Sequence, residues 1–132
     1  KEFEKYFKLK NIIVWNKNNH GTGDLKGSYA PKYEFILFGH KGRTLLREKR
    51  IPDVIDCAKI SSKKLTHPTE KPQELLKIFI KQSSDEDNII FDGFMGTGSC
   101  GIATNKLNRK FIGIELDENY FNIAKDRIEN SI

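Results

Sequence analysis

The stretch Asn88–Ala103, NIIFDGFMGTGSCGIA, holds an apolar run, an aspartate, and three glycines spaced Gly96-x-Gly98-x-x-Gly101. An apolar run entering glycines at this spacing and leaving as a helix is the fingerprint of a nucleotide-binding strand–turn–helix. One residue sets it apart. In a turn built for a dinucleotide the glycines follow the strand almost at once, and a pyrophosphate sits on the helix N-terminus, where negative charge is welcome. Asp92 stands at that junction, and its carboxylate would repel a pyrophosphate.

S-adenosylmethionine carries a sulfonium and an α-ammonium where a dinucleotide carries phosphates, so a carboxylate at the strand end turns from a penalty into a charge-assisted contact. Gly96 and Gly98 keep their use, because a loop without Cβ atoms lets a ligand lie against the backbone. Glu115, at the end of the next expected strand, can accept both ribose hydroxyls, a task common to both ligand classes. Each feature alone has a plainer reading: a tight turn for the glycines, a helix cap for Asp92. Taken together, the strand, Asp92, the loop Gly96–Ser99, the helix, the second strand and Glu115 favour the adenosylmethionine reading.

Outward from this unit the pattern stays regular on the C-terminal side. A strand at Ile89–Phe91, a helix at Ser99–Leu107, a strand at Phe111–Ile114, and a helix capped by Asp117 with Phe121, Ala124 and Ile128 inward make a β-α-β-α unit. Pro72 fits the first position of a further helix whose Leu75/Phe79 and Leu76/Ile80 pairs share one face. Such a unit cannot bury both faces of a parallel sheet, so further strands are expected upstream. Ile12–Trp15 and Tyr33–His40 are the candidates, with a short one at Ile51–Cys57 limited by Pro52. Phe3–Leu9 reads as the end of a helix. The expected fold is therefore α/β: a Rossmann-like, doubly wound sheet whose cofactor half follows its substrate half. The expected divisions are 1–40 for substrate-side strands, 41–66 for a basic segment, and 67–132 for the cofactor half.

Composition bounds this picture. The 132 residues, 37% hydrophobic and 31% charged, suit one modest globular domain. Lys and Arg exceed Asp and Glu by 23 to 18, a net charge of +5 that favours polyanionic partners or, equally, a solvated basic surface. Cys57 and Cys100 lie far apart, without a C-x-x-C or metal-ligand spacing, so a reduced cytoplasmic setting is expected and no metal. No apolar run approaches the roughly 18 residues of a membrane span, and the charged first residues form no signal peptide.

Two strings then point the same way. HPTEKPQELL (His67–Leu76) precedes the glycine strand, and the order of halves is permuted. The chain resembles the permuted DNA amino-methyltransferases, which methylate the exocyclic amine of adenine (N6) or cytosine (N4), often within restriction-modification systems or phages. The resemblance spans nearly the whole chain. It implies that Asp92, Phe94, Gly96, Gly98 and Ser99 line the methionine side of S-adenosylmethionine and that Glu115 holds its ribose. His67, Thr69 and Lys71, with Pro68 and Pro72, match the element that closes over the methionine end. IIVWNK (Ile12–Lys17) and YEFILFGHKGR (Tyr33–Arg43) resemble the strands beside the target base.

The chain departs from that family at one point: it has no Asp, Asn or Ser followed by Pro-Pro and an aromatic, and no two prolines are adjacent. That tetrapeptide would accept the target amine's hydrogens and stack the extruded base. No catalytic residue is therefore assigned in this chain, and the expectation is a C-terminal portion whose tetrapeptide lies upstream of Lys1. For duplex DNA, Lys41, Arg43, Arg47, Lys49 and Arg50, with Lys63 and Lys64 further on, form a phosphate-suited cluster. A cognate restriction endonuclease and a homodimer are further expected partners. A methyltransferase acting on RNA or protein amides, or a non-catalytic remnant that binds cofactor or DNA, are the alternative readings.

Overall fold

A computed structural model describes residues 1–19, 21, 23–64 and 70–132, with the backbone alone at Ser62. The chain divides into two compact units, Lys1–Lys59 and Ile60–Ile132.

The first unit is a three-stranded sheet in the order β2-β1-β3, formed by β1 (Lys8–Asn16), β2 (Tyr33–His40) and β3 (Val54–Asp56). β1 and β2 pair antiparallel with an irregularity between Leu9 and Asn11, and β3 runs parallel to β1. The helix expected to end at Leu9 is a single 3-10 turn at Phe3–Lys5, and the strand begins four residues earlier than Ile12. The alternation Lys8-Leu9-Lys10 has the two-residue period of a strand edge, which outweighs the weaker helical spacing before it. Alternation also sorts the two faces. Ile13, Trp15 and Ile55 are buried, and the Trp15 indole N–H donates to the Cys57 carbonyl at 2.7 Å. On the opposite face Ile12, Tyr33, Phe35, Leu37 and Val54 stand exposed, the Tyr33 and Phe35 rings 4.9 Å apart. The long connection between β1 and β2 extends the hairpin at its base, where Lys17 N–H donates to the Lys32 carbonyl and Gly21 N–H to that of Pro31.

The second unit consists of α1 (Gln73–Ser83), β4 (Ile89–Asp92), α2 (Ser99–Lys106), β5 (Lys110–Gly113) and α3 (Glu118–Glu129). Pro72, expected at the first helical position, is instead the residue before α1, where its φ of −60° is combined with an extended ψ of 133°. Asp117 caps α3, its side chain accepting from the Tyr120 N–H at 2.9 Å as the cap position demands. β4 and β5 pair parallel through the α2 crossover. α2 packs against α1, α3 and both strands, on the side of Ile90 and Phe111. Ile102, Ala103 and Thr104 are buried there. Phe121, expected to face inward, is 40% exposed, and the inward line of α3 is Ala124 with the half-buried Ile128. The other face of the ladder, Ile89, Phe91, Ile112 and Ile114, is more than half exposed at each residue.

Among the described residues the hydrogen-bonded strands are ordered β2-β1-β3 in the first unit and β4-β5 in the second. Among the described residues no helix is long and apolar enough to cross a membrane.

Candidate functional site

The loop between β4 and α2 is shaped by two glycines in the left-handed region, which glycine adopts without steric cost. Gly96 has φ of 54° and Gly98 φ of 85°. They differ in what surrounds them. A Cβ on Gly96 would meet nothing within 4 Å, whereas one on Gly98 would stand 3.0 Å from Ile128 Cδ1 and 3.1 Å from the Ala124 Cα and Cβ. Gly98 is therefore needed for packing α2 against α3, and Gly96 leaves open space on the loop's outer side.

Polar groups hold the loop in place. The Glu115 carboxylate accepts the Gly96 N–H at 2.8 Å through Oε2 and the Asp117 N–H at 2.9 Å through Oε1, so it braces the loop and the start of α3 together. Asp92 Oδ1 accepts the Phe94 N–H at 3.0 Å. The Gly98 N–H donates to the Met95 carbonyl and the Met95 N–H to that of Ile114, closing the turn onto the strand pair.

Beside the loop lies a cleft of about 210 Å³ whose lining includes Glu70, Lys71, Asp92, Phe94, Gly96, Thr97, Ser99 and Cys100. Asp92 and Lys71 are half-buried there, and the Phe94 ring is 95% exposed at its rim. Burial pushes the Cys100 thiol up to about 11, and the Asp92 charge adds to the shift. Cys100 is thus protonated at neutral pH and no nucleophile.

Of the cofactor residues expected from the sequence, this cleft brings together Lys71, Asp92, Phe94, Gly96 and Ser99. Gly98 and Glu115 are not among its lining: Gly98 stands close to Ala124 and Ile128, and Glu115 accepts the Gly96 N–H. His67 and Thr69 fall outside the described residues. Two residues that the sequence reading passed over take part. Glu70 Oε1 accepts from Ser99 Oγ at 3.1 Å and from Arg127 Nη2 at 2.9 Å, and Arg127 Nη1 donates to the Thr97 carbonyl at 2.8 Å. Glu70 occupies the variable place of the H-P-T-x-K-P string, and Arg127 sits in the last turn of α3, where a basic residue is ordinary. Neither position carried a local signal.

The basic residues are arranged differently. Lys41, Arg43, Arg47, Lys49 and Arg50 are all exposed, on chain that forms no helix or strand. Lys41 Nζ lies 5.8 Å from the Phe7 ring centre, and Arg47 Nη1 donates to the Leu45 carbonyl at 2.7 Å. Lys63 and Lys64 lie in a 3-10 turn of the second unit and are exposed as well.

A family model described as DNA methylase, of the N6/N4 methyltransferase type, matches residues 1–126. The chain belongs to the N6/N4 DNA methylase family. Among the methylases it resembles, the type II methyltransferase M2.DpnII of Streptococcus pneumoniae is 31% identical over 93% of this chain and 52% of its own length. A crystal structure of the M1.HpyAVI–SAM complex matches with a TM-score of 0.78 and 32% identity, covering 96% of this chain and 65% of that one. The cytosine-N4-specific PvuII DNA methyltransferase shares the fold at a TM-score of 0.78 with 16% identity. The α/β fold class of these methyltransferases is therefore that of this chain. The chain spans about half the length of the curated methylases it matches.

Proposed function

We propose that this chain is the cofactor-binding portion of a site-specific DNA methyltransferase that moves a methyl group from S-adenosylmethionine to the exocyclic amine of adenine (N6) or cytosine (N4). The observation that carries the proposal is Asp92, half-buried at the end of β4 in the cleft beside the glycine loop. The ligand's formal charges fit that cleft: Asp92 suits the ammonium and sulfonium, and Lys71 suits the methionine carboxylate. Phe94 offers an apolar surface at the rim, and Glu115, already holding the loop, has lone pairs left for ribose hydroxyls. The cofactor supplies an electrophilic methyl group. This chain's residues bind and orient it. His67 and Thr69 join the same proposal through the string they share with Lys71.

Residues 41–66 take the DNA-facing role, with Lys41, Arg43, Arg47, Lys49, Arg50, Lys63 and Lys64 contacting phosphates of the duplex. A cognate restriction endonuclease, a homodimer and a cytoplasmic setting complete the proposal. The groups that hold the target amine and stack the extruded base are proposed to come from polypeptide beyond these 132 residues.

Calorimetric titration tests the cofactor assignment. S-adenosylmethionine or its demethylated product is expected to bind more tightly than NAD, and the reverse order overturns the assignment. Tritium transfer tests the catalytic one. The 132 residues alone are expected to leave DNA unlabelled, and incorporation above background by a pure preparation would move the transfer centre into this chain, with the Asn16–Pro31 loop the first place to look.

A further inference from the structure

We propose that Arg127 and Glu70 are positioning residues: a half-buried brace that sets the inner wall of the cofactor cleft and decides which of its carboxylates faces the ligand. The inference rests on the cofactor reading above and adds two residues to it. Glu70 lies just before α1, Thr97 and Ser99 in and after the glycine loop, and Arg127 in α3, so the brace ties three segments that are far apart in sequence. The Glu70 side chain is 5% exposed and that of Arg127 26%. Burying a carboxylate costs least beside a cation, and the Arg127 guanidinium stands 2.9 Å from Glu70.

The geometry asks for arginine in particular. Its planar fork sends one nitrogen to the Thr97 carbonyl at 2.8 Å and another to Glu70 at 2.9 Å, which fixes the angle between loop and segment. A lysine ammonium can neutralise Glu70 but lacks that fork. Two consequences follow for the cleft. The Thr97 carbonyl is held by α3, and the Ser99 hydroxyl is directed at Glu70. Of the two carboxylates that line the cleft, Glu70 is neutralised by Arg127, while among the described residues Asp92 accepts the Phe94 N–H and has no ion-pair partner. Asp92 is thereby left as the acidic group for a cationic ligand.

Three variants of the 132-residue chain test this: Arg127→Lys, Arg127→Met and Glu70→Gln. Arg127→Lys keeps the charge beside Glu70 and loses the fork, so its thermal midpoint is expected near that of the wild type. Its affinity for S-adenosylmethionine is expected to fall about tenfold, the worth of one charge-assisted hydrogen bond. Arg127→Met is expected to lose more, and Glu70→Gln, which keeps an acceptor, less than either. Amide hydrogen exchange without ligand gives a second readout. In Arg127→Lys the Gly96, Gly98 and Ile102 amides are expected to exchange faster, with β4 and β5 unchanged. Unchanged affinity and unchanged loop exchange in both Arg127 variants overturn the brace. A uniform rise in exchange across the unit also overturns it, since the pair would then serve stability alone. If the wild type fails to bind S-adenosylmethionine, the cofactor reading falls, and the exchange measurement still decides whether the brace holds the loop.

Discussion

From Met95 to Ala103 every residue is buried or half-buried, and polar groups of the loop pair with Glu115, Glu70 and Arg127 and with the Met95 and Ile114 carbonyls. From Lys41 to Arg50 all ten residues are exposed and the chain forms neither helix nor strand. The two stretches suit two kinds of ligand. A small molecule of fixed shape rewards a wall built before it arrives, because ordering that wall on binding would cost affinity. A regular polyanion rewards charge within reach, and most of that gain comes from released counterions rather than from geometry. One stretch is therefore expected to be intolerant of a single added atom, and the other tolerant of whole side chains removed.

The largest effect should come from Gly98→Val. Its Cβ would sit on a left-handed backbone and against Ala124 and Ile128. A loss of about 3 kcal/mol is expected from the two penalties together, read as a clear fall in thermal midpoint. An unaltered midpoint would mean that the loop is as forgiving as the basic stretch. Next comes Asp92→Asn, which keeps an acceptor for the Phe94 N–H and removes the charge. S-adenosylmethionine should bind roughly tenfold more weakly while adenosine is little affected, since charged hydrogen bonds exceed neutral ones by about 1 kcal/mol. Equal losses for both ligands would remove the charged-end role from Asp92.

Arg47→Ala with Arg50→Ala marks the opposite pole. No change in thermal midpoint is expected. In DNA binding by the full-length protein, cognate and unrelated duplexes should weaken alike, and the logarithmic salt slope should flatten by about 0.9 per contact removed. A loss confined to cognate DNA would make these arginines readers of base edges.

The smallest effect concerns Cys100. Its folded thiol holds its proton up to about 11, against a reference value of 9.0. Between those values the unfolded chain releases the proton first, so the stability this residue contributes is present below pH 9 and is lost as pH rises toward 11. Cys100→Ser should remove that alkaline portion of the decline and leave the midpoint at pH 7 nearly unchanged.

How much of this could be read from sequence follows the same divide. The β4-α2-β5-α3 unit was legible almost residue by residue, because period, glycine spacing and the Asp117 cap are all local signals. β2 was legible because the aromatic and apolar run Phe35–Phe38, with Tyr33 just before it, is a local strand signal. The start of β1 was not, since Phe3, Phe7 and Leu9 also fit a helical spacing and the pairing with His40 that settles it lies some thirty residues away. Phe121 misled because its spacing from Ala124 and Ile128 suits an inward stripe, yet the neighbouring α2 is short and is met by the small Ala124. Glu70 and Arg127 were invisible for a deeper reason. An ion pair spanning 57 positions has no sequence period, and each partner alone resembles an ordinary surface charge.

The bare face of the β4–β5 ladder has a consequence for the life of the chain in a cell. Ile89, Phe91, Ile112 and Ile114 are between 51% and 64% exposed. Covering each recovers on the order of 1 kcal/mol. Four together rival a sizeable part of the net stability of a small domain, which is about 5–15 kcal/mol. Any layer that packs there therefore acts as a stabilising ligand by mass action. Until it does, the same patch is a handle for holdase chaperones and proteases, so the chain's half-life is expected to track the supply of its cover more closely than the strength of its own core.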